Sequence, residues 1–595
     1  MKKYKEKSPQ ETIDKIINIL NFLKIETSIL ENISDDGSYS YYISCFYNGK
    51  KIGFSNGKGT TKEFALASGL AEFMERLSND FLKAENYFLL NKKLMEESFE
   101  TNNFFVHHDE KILTIPELMS NEIILELYKT YGTVFLSFLH GKDKDAKFIT
   151  LPFKNVHNDK IGYLPIYDTG ISLLFGSNGM CAGNSEKEAL IQGISELLER
   201  YCLIESFLYS DIDIPNIPLS ILDKYPYIKK ICDEFKKNNF SVQIKDLSFG
   251  GKFPVVGVIV KDLKTGKAKF NAGAFPVLHI ALERCFTEIL QNKNISSLSD
   301  SLENIFEMNH TTSFNMHKIF TTYNGHYPNR INYPTHFNYN LSAFIDDVNE
   351  EMSIPDIYEY LIRLLKNNNI NCWFRDCSYY GFNAYQVLFS NVRGSILTTT
   401  KEKDFEYASL VFERPFLAFG EILEKKRFSE DNLKKAYEYV CEIEKQPEYV
   451  NAPTFFYTLG EGNFSFYTLH HLMEYFIAFM NNDYKLCSII DNKISLNNFS
   501  SVVNKDIIEF YKATDLLIYF KKSDRKYDDN TLCKILSFYT KLNEKNINYL
   551  VKEPKKLFDF LCNIDYYIKN VEFEYIEFSK HLHTKEKELL KNNGG

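Results

Sequence analysis

Two segments of the chain carry the same pattern of glycines, glutamates and an arginine. The first leads from Gly59 to GLAEFMER at residues 69–76, and the second from Gly183 to GISELLER at residues 193–200. In both, the first glutamate follows the glycine by thirteen positions. The flanking residues are apolar nearly all round a helix, which is typical of buried helices. A repeated, buried and acidic helix restricts the fold more than any other feature of the sequence.

Each predicted helix projects two glutamates, three positions apart, and one arginine from the same face. These residues are Glu72, Glu75 and Arg76 in the first helix and Glu196, Glu199 and Arg200 in the second. An isolated motif of this kind is usually a surface ion pair, but here it supplies the only charges of an apolar helix. Buried carboxylates are costly unless they are paired with cations, and two arginines do not neutralise four glutamates. We therefore expect a further cation at this place.

A third, partial copy of the motif follows later in the chain. Residues 284–291, RCFTEILQ, place Glu288 and Gln291 at the spacing of the two glutamates in the other copies. Acidic oxygens from three converging helices suit a hard cation such as Mg²⁺, which prefers carboxylate, water and phosphate oxygens. The expected metal ligands are Glu72, Glu75, Glu196, Glu199 and Glu288.

Glycine-containing turns precede the first two helices. Capping boxes that pair Thr60 with Glu63 and Ser185 with Glu188 are predicted to start these helices. Free N–H groups at a helix N-terminus bind anions, and Mg²⁺ usually arrives with a phosphate, so a nucleotide is the expected ligand. The sequence has neither a P-loop motif nor a dinucleotide-binding motif in the right context. The nucleotide site is therefore expected to be of another type.

Strand-like and helical segments alternate through most of the chain. A helix is predicted at about residues 11–24, followed by a hairpin whose turn is Asn48-Gly49, and by strand-then-helix segments at residues 163–207 and 254–291. The predicted core is α/β or α+β. Residues 294–340 are rich in polar residues and are predicted to form a long surface excursion between two core segments.

Beyond about Gln446 the pattern becomes helical, after two prolines that interrupt the chain. We place a domain boundary here, so that residues 1–445 form the core and residues 446–595 an all-helical domain. Stacked hairpins similar to tetratricopeptide repeats are one candidate arrangement for this domain, although the sequence shows no clean repeat period.

Composition excludes several classes of function. The net charge of -9 arises from 70 basic and 79 acidic residues, so no strong field attracts nucleic acid or an anionic membrane, and neither is expected as a partner. No segment has the roughly 18 apolar residues that a membrane span needs, and the first residues lack a secretory signal pattern, so a cytoplasmic location is expected. The eleven cysteines form no CxxC pair. A cysteine-dependent hydrolase that uses Cys181 stays open as an alternative.

Three segments, taken in order, resemble the ATP-binding segments of the YcaO family. They are GKGTTKEFALASGLAEFMERLSND, SNGMCAGNSEKEALIQGISELLERY and ALERCFTEILQ, and the likeness spans about residues 11–428. The resemblance implies an ATP- and Mg²⁺-dependent enzyme that phosphorylates the oxygen of a peptide-backbone amide. The activated amide then accepts a Cys, Ser or Thr side chain to give an azoline, or an external sulfur donor to give a thioamide.

The resemblance also assigns roles to residues by their position. The implied catalytic residues are Glu75, Glu199 and Glu288. The implied ATP-binding residues are Thr12, Ser68, Glu72, Arg76, Asn184, Gln192, Glu196, Arg200 and Arg284, together with an N-terminal lysine, Lys5 or Lys7. Ser68 and Gln192 are equally compatible with ordinary helix packing.

One departure from the family pattern bears on the branch of the family. Azoline-forming members commonly end in a proline-rich tail, whereas this chain ends in LLKNNGG. Its full-length layout resembles the bacterial members associated with methylthiolation of a small-subunit ribosomal protein, as accessories to a radical methylthiotransferase. The resemblance implies a protein or peptide substrate and a methylthiotransferase or sulfur-donor partner. A non-catalytic nucleotide-binding scaffold, an azoline-forming cyclodehydratase and a homodimer stay open.

Overall fold

The structure, a computed structural model, describes most of the chain. The described residues are 4–33, 39–79, 109–131, 145, 147–165, 177–208, 214–290, 293–305, 319, 323, 325–332, 339–345, 352–392, 430–443, 474–491, 505–523, 526–554 and 571–592. The chain divides into two compact units. Unit 1 comprises Met1–Leu82, Val106–Asp404 and Leu582–Gly595, and unit 2 comprises Lys83–Phe105 and Phe405–His581. The predicted boundary near residue 446 lies outside the described residues, so the division at that point stays a prediction.

Unit 1 mixes helices and short strands. Its first half contains α1 (Pro9–Phe22), β1 (Glu26–Ile33), β2 (Tyr39–Tyr47), β3 (Lys50–Gly59), α2 (Lys62–Ser78), β4 (Lys111–Thr114), α3 (Ile115–Met119), α4 (Glu122–Tyr131), β5 (Lys147–Asn155), β6 (Ile161–Pro165), β7 (Met180–Gly183) and α5 (Glu186–Leu208). Its second half contains β8 (Asn216–Ile217), α6 (Pro226–Lys237), β9 (Phe240–Asp246), β10 (Val255–Asp262), β11 (Ala268–Ala274), α7 (Leu278–Ile289), α8 (Asn329–Asn332), α9 (Ile354–Asn367), β12 (Cys372–Asp376) and β13 (Asn383–Phe389). The described residues of unit 1 also contain two 3₁₀ helices, Leu219–Lys224 and Ile295–Ser301.

The strands of the described residues form three antiparallel sheets. Their orders are β1-β2-β3, β11-β10-β9-β8, and β4-β5-β12-β13-β7 with β6 also paired to β5. The predicted turn between β2 and β3 is confirmed, since Asn48 and Gly49 have φ values of 50° and 74°, which suits a two-residue hairpin. Antiparallel hairpins rather than parallel crossovers make the core α+β, one of the two predicted classes.

Each of the three acidic helices packs on the strand that precedes it in sequence. These pairs are β3 with α2, β7 with α5, and β11 with α7. In addition, α2 packs on β7 and α5 packs on β11. The three strand–helix pairs therefore form one contiguous group, which brings the acidic faces towards each other.

Small residues allow each acidic helix to lie close to its strand. A Cβ atom added to Gly57 would lie 2.0 Å from the carbonyl oxygen of Ala65, and one added to Gly273 would lie 2.4 Å from that of Ala281. In the second pair the strand position is Cys181, and a Cβ atom added to the facing Gly193 would lie 2.8 Å from its sulfur. Each crossing point thus needs a glycine on at least one side, because a larger residue there would push the helix away.

The prediction of a surface excursion at residues 294–340 is wrong for the residues described. Eight of its apolar side chains lie in the core of unit 1: Ile295, Leu298, Leu302, Ile305, Ile319, Tyr323, Tyr327 and Ile331. They are few and widely spaced among polar residues, so the composition of the segment does not indicate that they are buried. Their burial in the structure comes from tertiary contacts that this local pattern does not reveal.

The described part of unit 2 is helical, as predicted for the C-terminal region. It contains α10 (Glu430–Ile443), α11 (Tyr484–Asp491), α12 (Lys505–Lys522), α13 (Asp529–Tyr539) and α14 (Glu544–Lys552), which share a hydrophobic core of their own. A tetratricopeptide-like arrangement stays a prediction. In the last helix, α15 (Val571–Asn592), residues from Leu582 onward belong to unit 1, where Lys585 lies 4.6 Å from the ring of Phe22. No described helix combines the length and hydropathy of a membrane span.

Candidate active site

Polar residues at intervals of four form a stripe along α5 and the turn before it. They are Asn184, Glu188, Gln192, Glu196 and Arg200. Residues four apart in a helix are neighbours on its surface, so these side chains form a stripe that winds slowly around α5; at 1.5 Å per residue its part from Glu188 to Arg200 is about 18 Å long. Four of the five residues belong to the predicted ATP site. Sequence reasoning gave Glu188 only a capping role.

The N-terminal segment closes the first end of this stripe. Thr12 donates a hydrogen bond to the side-chain oxygen of Asn184 at 3.2 Å, and Lys5 forms an ion pair with Glu188 at 3.1 Å. The structure thus places two predicted ATP-binding residues in contact and brings Lys5 to the same end of the stripe, while the role of this lysine in ATP binding stays a prediction. Lys7, the other candidate, pairs instead with Glu11 on α1.

Both predicted capping boxes need correction. Helix α2 is capped by Thr61, whose side chain accepts the N–H of Phe64, and not by Thr60. At α5, Ser185 does accept the N–H of Glu188 at 3.3 Å. The Glu188 carboxylate, however, accepts from Lys5 and from the backbone N–H of residue 6. The Glu188 side chain is thus bound by Lys5 and the N-terminal segment, instead of by the backbone N–H of Ser185 as a capping box requires.

The middle of the stripe is joined to α7 through an arginine. Arg284 donates from Nη2 to the amide oxygen of Gln192 and from Nη1 to the carbonyl oxygen of Ala274 at 3.1 Å. Its guanidinium lies 5.3 Å from the ring centroid of Phe275. Burial lowers the pKa of Arg284, although nearby Glu199 and Glu196 oppose this shift. Gln192 therefore holds Arg284 in position and is more than a packing residue.

Ion pairs within each helix account for only part of the acidic cluster. Arg76 lies 2.7 Å from Glu72, and Arg200 lies 3.8 Å from Glu196. Glu196 also accepts the backbone N–H of Gly179 at 3.2 Å. An isolated motif of this kind would form the same ion pairs. Each helix, however, carries a second glutamate, Glu75 or Glu199, that takes no part in them.

Burial and the excess of negative charge raise the pKa of two carboxyl groups. Burial raises the pKa of Glu75 well above its usual value of 4.5, and the charges of Glu196 and Glu72 raise it further. Burial likewise raises the pKa of Glu196, with a further contribution from Glu199 that the nearby Arg200 opposes. Carboxylates from different helices therefore lie close enough to repel each other, as the repeated motif predicts.

Lys58, which sequence reasoning did not assign to the site, lies among these carboxylates. It is the last residue but one of β3 and donates to Glu288 on α7. Burial lowers the pKa of Lys58 to about 8 and the nearby charge of Arg284 adds to this shift, while the charges of Glu72, Glu199 and Glu196 act in the opposite direction. Its position between Gly57 and Gly59, in the turn before an acidic helix, is the sequence signal that could have identified it.

Tyr323 is a second residue that sequence reasoning missed, because it lies in the supposed surface excursion. Its hydroxyl donates to Glu199, and the guanidinium of Arg200 lies 4.9 Å from its ring centroid. Burial raises the pKa of Tyr323 well above 10.0, so the hydroxyl stays protonated and acts as a donor. Tyr323 thus holds the last turn of the acidic stripe in place.

The residues present fit Mg²⁺ that arrives together with a phosphate. Within the described ranges no three His, Cys, Asp or Glu side chains are close enough to bind a metal by themselves. Mg²⁺ is usually bound through one or two carboxylates, with phosphate and water as its other ligands. Two guanidinium nitrogens of Arg200, Nε and Nη1, are buried without an acceptor in the part of the chain described, and phosphate oxygens would satisfy such donors. Ser68 lies one turn before Glu72, half-buried on the same face of α2.

The cysteine in the second glycine turn does not have the environment of a nucleophile. Cys181 is fully buried, and its thiol lies 3.5 Å from the carbonyl oxygen of Tyr385. Burial raises the pKa of this thiol well above 9.0, and the charges of Glu75 and Glu196 add to the shift. A thiol that stays protonated is a poor nucleophile, which argues against the hydrolase alternative.

Two curated bacterial proteins and a solved structure are similar to this chain. An uncharacterised protein of Haemophilus influenzae is 32% identical over 251 residues, and the ribosomal protein S12 methylthiotransferase accessory factor YcaO of Escherichia coli is 32% identical over 256 residues. Each match covers 41% of this chain and 42% of the relative, so the chain spans well under half the length of these relatives in the match. The structure of YcaO from Methanopyrus kandleri bound with AMPPCP and Mg²⁺ is 14% identical, with a TM-score of 0.44, and the match covers 67% of this chain and 96% of that one.

A family model covers the site directly. The model described as YcaO cyclodehydratase, ATP- and Mg²⁺-binding, matches residues 56–393, more than half of the chain. This range begins next to Lys58 and contains all three acidic helices, the glycine crossings and the β12–β13 hairpin. The match agrees with the resemblance of the three segments, and the chain therefore belongs to the YcaO family.

Proposed function

We propose that unit 1 is an ATP- and Mg²⁺-dependent enzyme that phosphorylates the oxygen of a peptide-backbone amide. The observation that carries this proposal is the convergence of carboxylates from three helices on a site that also holds Arg200, Arg284 and Lys58. Such a site is suited to a polyphosphate and a divalent cation together, because the cation compensates the carboxylates and the phosphates compensate the arginines and the lysine. The family description, which names ATP and Mg²⁺, supports the same ligands.

The stripe on α5 suggests how a nucleotide would be held. Mg²⁺ would be held by one or two carboxylates from the set Glu72, Glu75, Glu196, Glu199 and Glu288 together with phosphate oxygens, and it would neutralise phosphate charge when it is bound. Arg200 has unpaired buried donors, and Arg284 is fixed by Gln192, so both are placed to bind phosphate oxygens. Lys5, Thr12 and Asn184 form the opposite end of the stripe and would bind the remainder of the nucleotide.

The proposed chemistry needs positioning and charge neutralisation more than an enzyme nucleophile. The amide oxygen attacks the γ-phosphorus, the bond to the bridging oxygen breaks, and ADP leaves. A nucleophile then adds to the amide carbon, and phosphate departs with the former amide oxygen. The buried and protonated thiol of Cys181 has no role in these steps.

The finer activity follows from the relatives and is part of the proposal. We propose an accessory role in methylthiolation of a small-subunit ribosomal protein, or thioamide formation, because the Escherichia coli relative is named as such an accessory factor. The partner would be a methylthiotransferase or a sulfur donor. Azoline formation is the second candidate, since the family description includes the word cyclodehydratase.

The first experiment measures nucleotide binding. Calorimetric titration with a non-hydrolysable ATP analogue should show binding that requires Mg²⁺, and phosphate release should show Mg²⁺-dependent turnover. Glu199→Gln and Glu288→Gln should abolish turnover while the protein stays folded. Glu122→Gln is the matched control, because Glu122 is an exposed residue of α4 that pairs with Lys160 at 2.8 Å. Parental turnover in both site variants would exclude a carboxylate-bound metal.

The second experiment distinguishes amide activation from simple ATP hydrolysis. In water enriched in oxygen-18, hydrolysis places the heavy isotope in the released phosphate, whereas transfer through an amide gives phosphate that carries the amide oxygen. A candidate substrate, such as the small-subunit ribosomal protein of the same organism, should therefore increase phosphate release without increasing its label. Fully labelled phosphate in the presence of the modified substrate would contradict amide phosphorylation.

A further inference from the structure

Lys58 is fixed rigidly between two elements of the site. It lies between Gly57 and Gly59, and both glycines approach the backbone of α2 so closely that an added Cβ atom would lie 2.0 Å and 2.7 Å from backbone atoms of that helix. The backbone of β3 at this point therefore has little freedom to move. Its side chain extends from the first strand–helix pair to Glu288 in the third.

The surroundings of this lysine are acidic on more than one side. Besides Glu288 on α7, the charges of Glu72 on α2 and of Glu196 and Glu199 on α5 act on its ammonium group. These four glutamates are among the residues proposed to hold Mg²⁺. A cation that belongs to the protein therefore occupies the region where a divalent cation would be most strongly attracted.

We propose that Lys58 is a built-in counter-ion that keeps free divalent cations out of the site and leaves Glu288 only when a polyphosphate provides another acceptor for its ammonium group. This inference rests on the proposed function, since it assumes that the carboxylates bind Mg²⁺ together with ATP. It adds a role for a residue that the acidic motifs do not include, and a reason why metal and nucleotide would enter together.

The physical argument is one of competition between charges. Without nucleotide, a divalent cation at Glu288 would have to displace the ammonium group or lie next to it, and either arrangement is unfavourable in a half-buried site. With nucleotide, the phosphates add negative charge and accept the ammonium group, so both cations are accommodated. Lys58 thus couples the two ligands, and each should increase the affinity for the other.

The test measures Mn²⁺ binding to the full-length protein by the electron paramagnetic resonance signal of free Mn²⁺, with and without a non-hydrolysable ATP analogue. The parent should bind Mn²⁺ weakly alone and tightly with the analogue. Lys58→Met should bind Mn²⁺ alone at least about tenfold more tightly than the parent, since an opposing charge near several carboxylates is gone. Lys58→Arg should bind Mn²⁺ alone as weakly as the parent, because it keeps the positive charge.

Lys62→Met is the matched control, because Lys62 begins α2, is half-exposed and pairs with Glu31 at 2.8 Å. Its Mn²⁺ affinity should equal that of the parent. An ordinary structural ion pair predicts that Lys58→Met melts at a lower temperature with no gain in Mn²⁺ affinity, and that result would overturn the inference.

A measurement on the parent keeps the inference testable if Lys58→Met does not fold. Mn²⁺ alone should leave the melting temperature unchanged at a concentration that raises it when the analogue is also present. An equal rise with Mn²⁺ alone would show that the site is open to free metal and would overturn the inference while leaving the proposed function intact. Absence of analogue binding under all conditions would overturn both.

Discussion

Replacing Gly57 with alanine should separate the acidic helix α2 from the rest of the site. The added Cβ atom would lie 2.0 Å from the carbonyl oxygen of Ala65 and 2.8 Å from the backbone nitrogen of Gly69, where 3.0 Å is the shortest approach that real Cβ atoms show. Both obstacles are backbone atoms, so no side-chain rotation relieves them. Helix α2 must therefore move away from β3 by about 1 Å, and overpacking of this kind costs about 1–3 kcal/mol.

The displacement carries Glu72 and Glu75 with it. A misplacement of about 1 Å in a catalytic site lowers rates by about a hundredfold, because transition-state interactions depend steeply on geometry. We expect Gly57→Ala to lower Mg²⁺-dependent ATP turnover by about this factor, measured as phosphate release at a temperature where thermal melting shows the protein to be folded.

Gly266→Ala is the control for loss of stability alone. Gly266 has φ of +74° and no atom within 4 Å of an added Cβ, so alanine there costs about 1–2 kcal/mol of backbone strain without moving α2. Its turnover should equal that of the parent. A folded Gly57→Ala protein with parental turnover would refute the close contact of β3 and α2 as the feature that positions the glutamates.

Three further predictions concern other parts of the chain. Burial and neighbouring carboxylates raise the pKa of Glu75, so the folded protein loses stability as the pH rises through that pKa. Glu75→Gln should therefore melt a few degrees higher than the parent at about pH 8 but not at about pH 4. The variant should also lack ATP turnover. Equal melting temperatures at both pH values would contradict this. Cys181→Ser should keep ATP turnover, and a folded but inactive variant would restore the case for a thiol mechanism. In unit 2, exposed aromatic residues on α12 and α13 suit partner recognition. The triple variant Tyr519→Ser, Phe538→Ser, Tyr539→Ser should therefore keep basal ATP turnover but lose substrate modification. Modification at the parental rate would exclude a role of these residues in partner recognition.

The acidic helices could be predicted because their information is local. The spacing of Glu72 and Glu75 and the apolar residues around them specify both the helix and its buried face, and the second copy repeats the pattern. The turn at Asn48-Gly49 is also local, since few other residue pairs adopt both positive φ values. The structure adds that Gln192 and Arg200 follow one another along α5 at multiples of four residues, with Asn184 in the turn before this helix.

The parts that could not be predicted depend on contacts between distant segments. Lys58 and Glu288 are 230 positions apart, and Tyr323 lies 124 positions from Glu199. Neither contact leaves a local pattern, and Tyr323 stands in a polar segment whose composition suggests a loop. The order of the largest sheet, in which β7 pairs with β13, likewise arises from long-range packing that a single sequence does not encode at short range.

The repetition of the strand–helix pair has a consequence for the orientation of a bound ligand. Three copies of the same strand–helix pair offer a ligand equivalent backbone contacts, whereas a nucleoside triphosphate has two chemically different ends. Direction must therefore come from differences between equivalent positions. Three residues after the alanines at 65, 189 and 281 stand Ser68, Gln192 and Arg284: a hydroxyl, an amide and a cation. The repeated backbone thus supplies a common geometry, and for the proposed nucleotide the change from neutral to positive side chains would favour one orientation of the polyphosphate chain over the reverse.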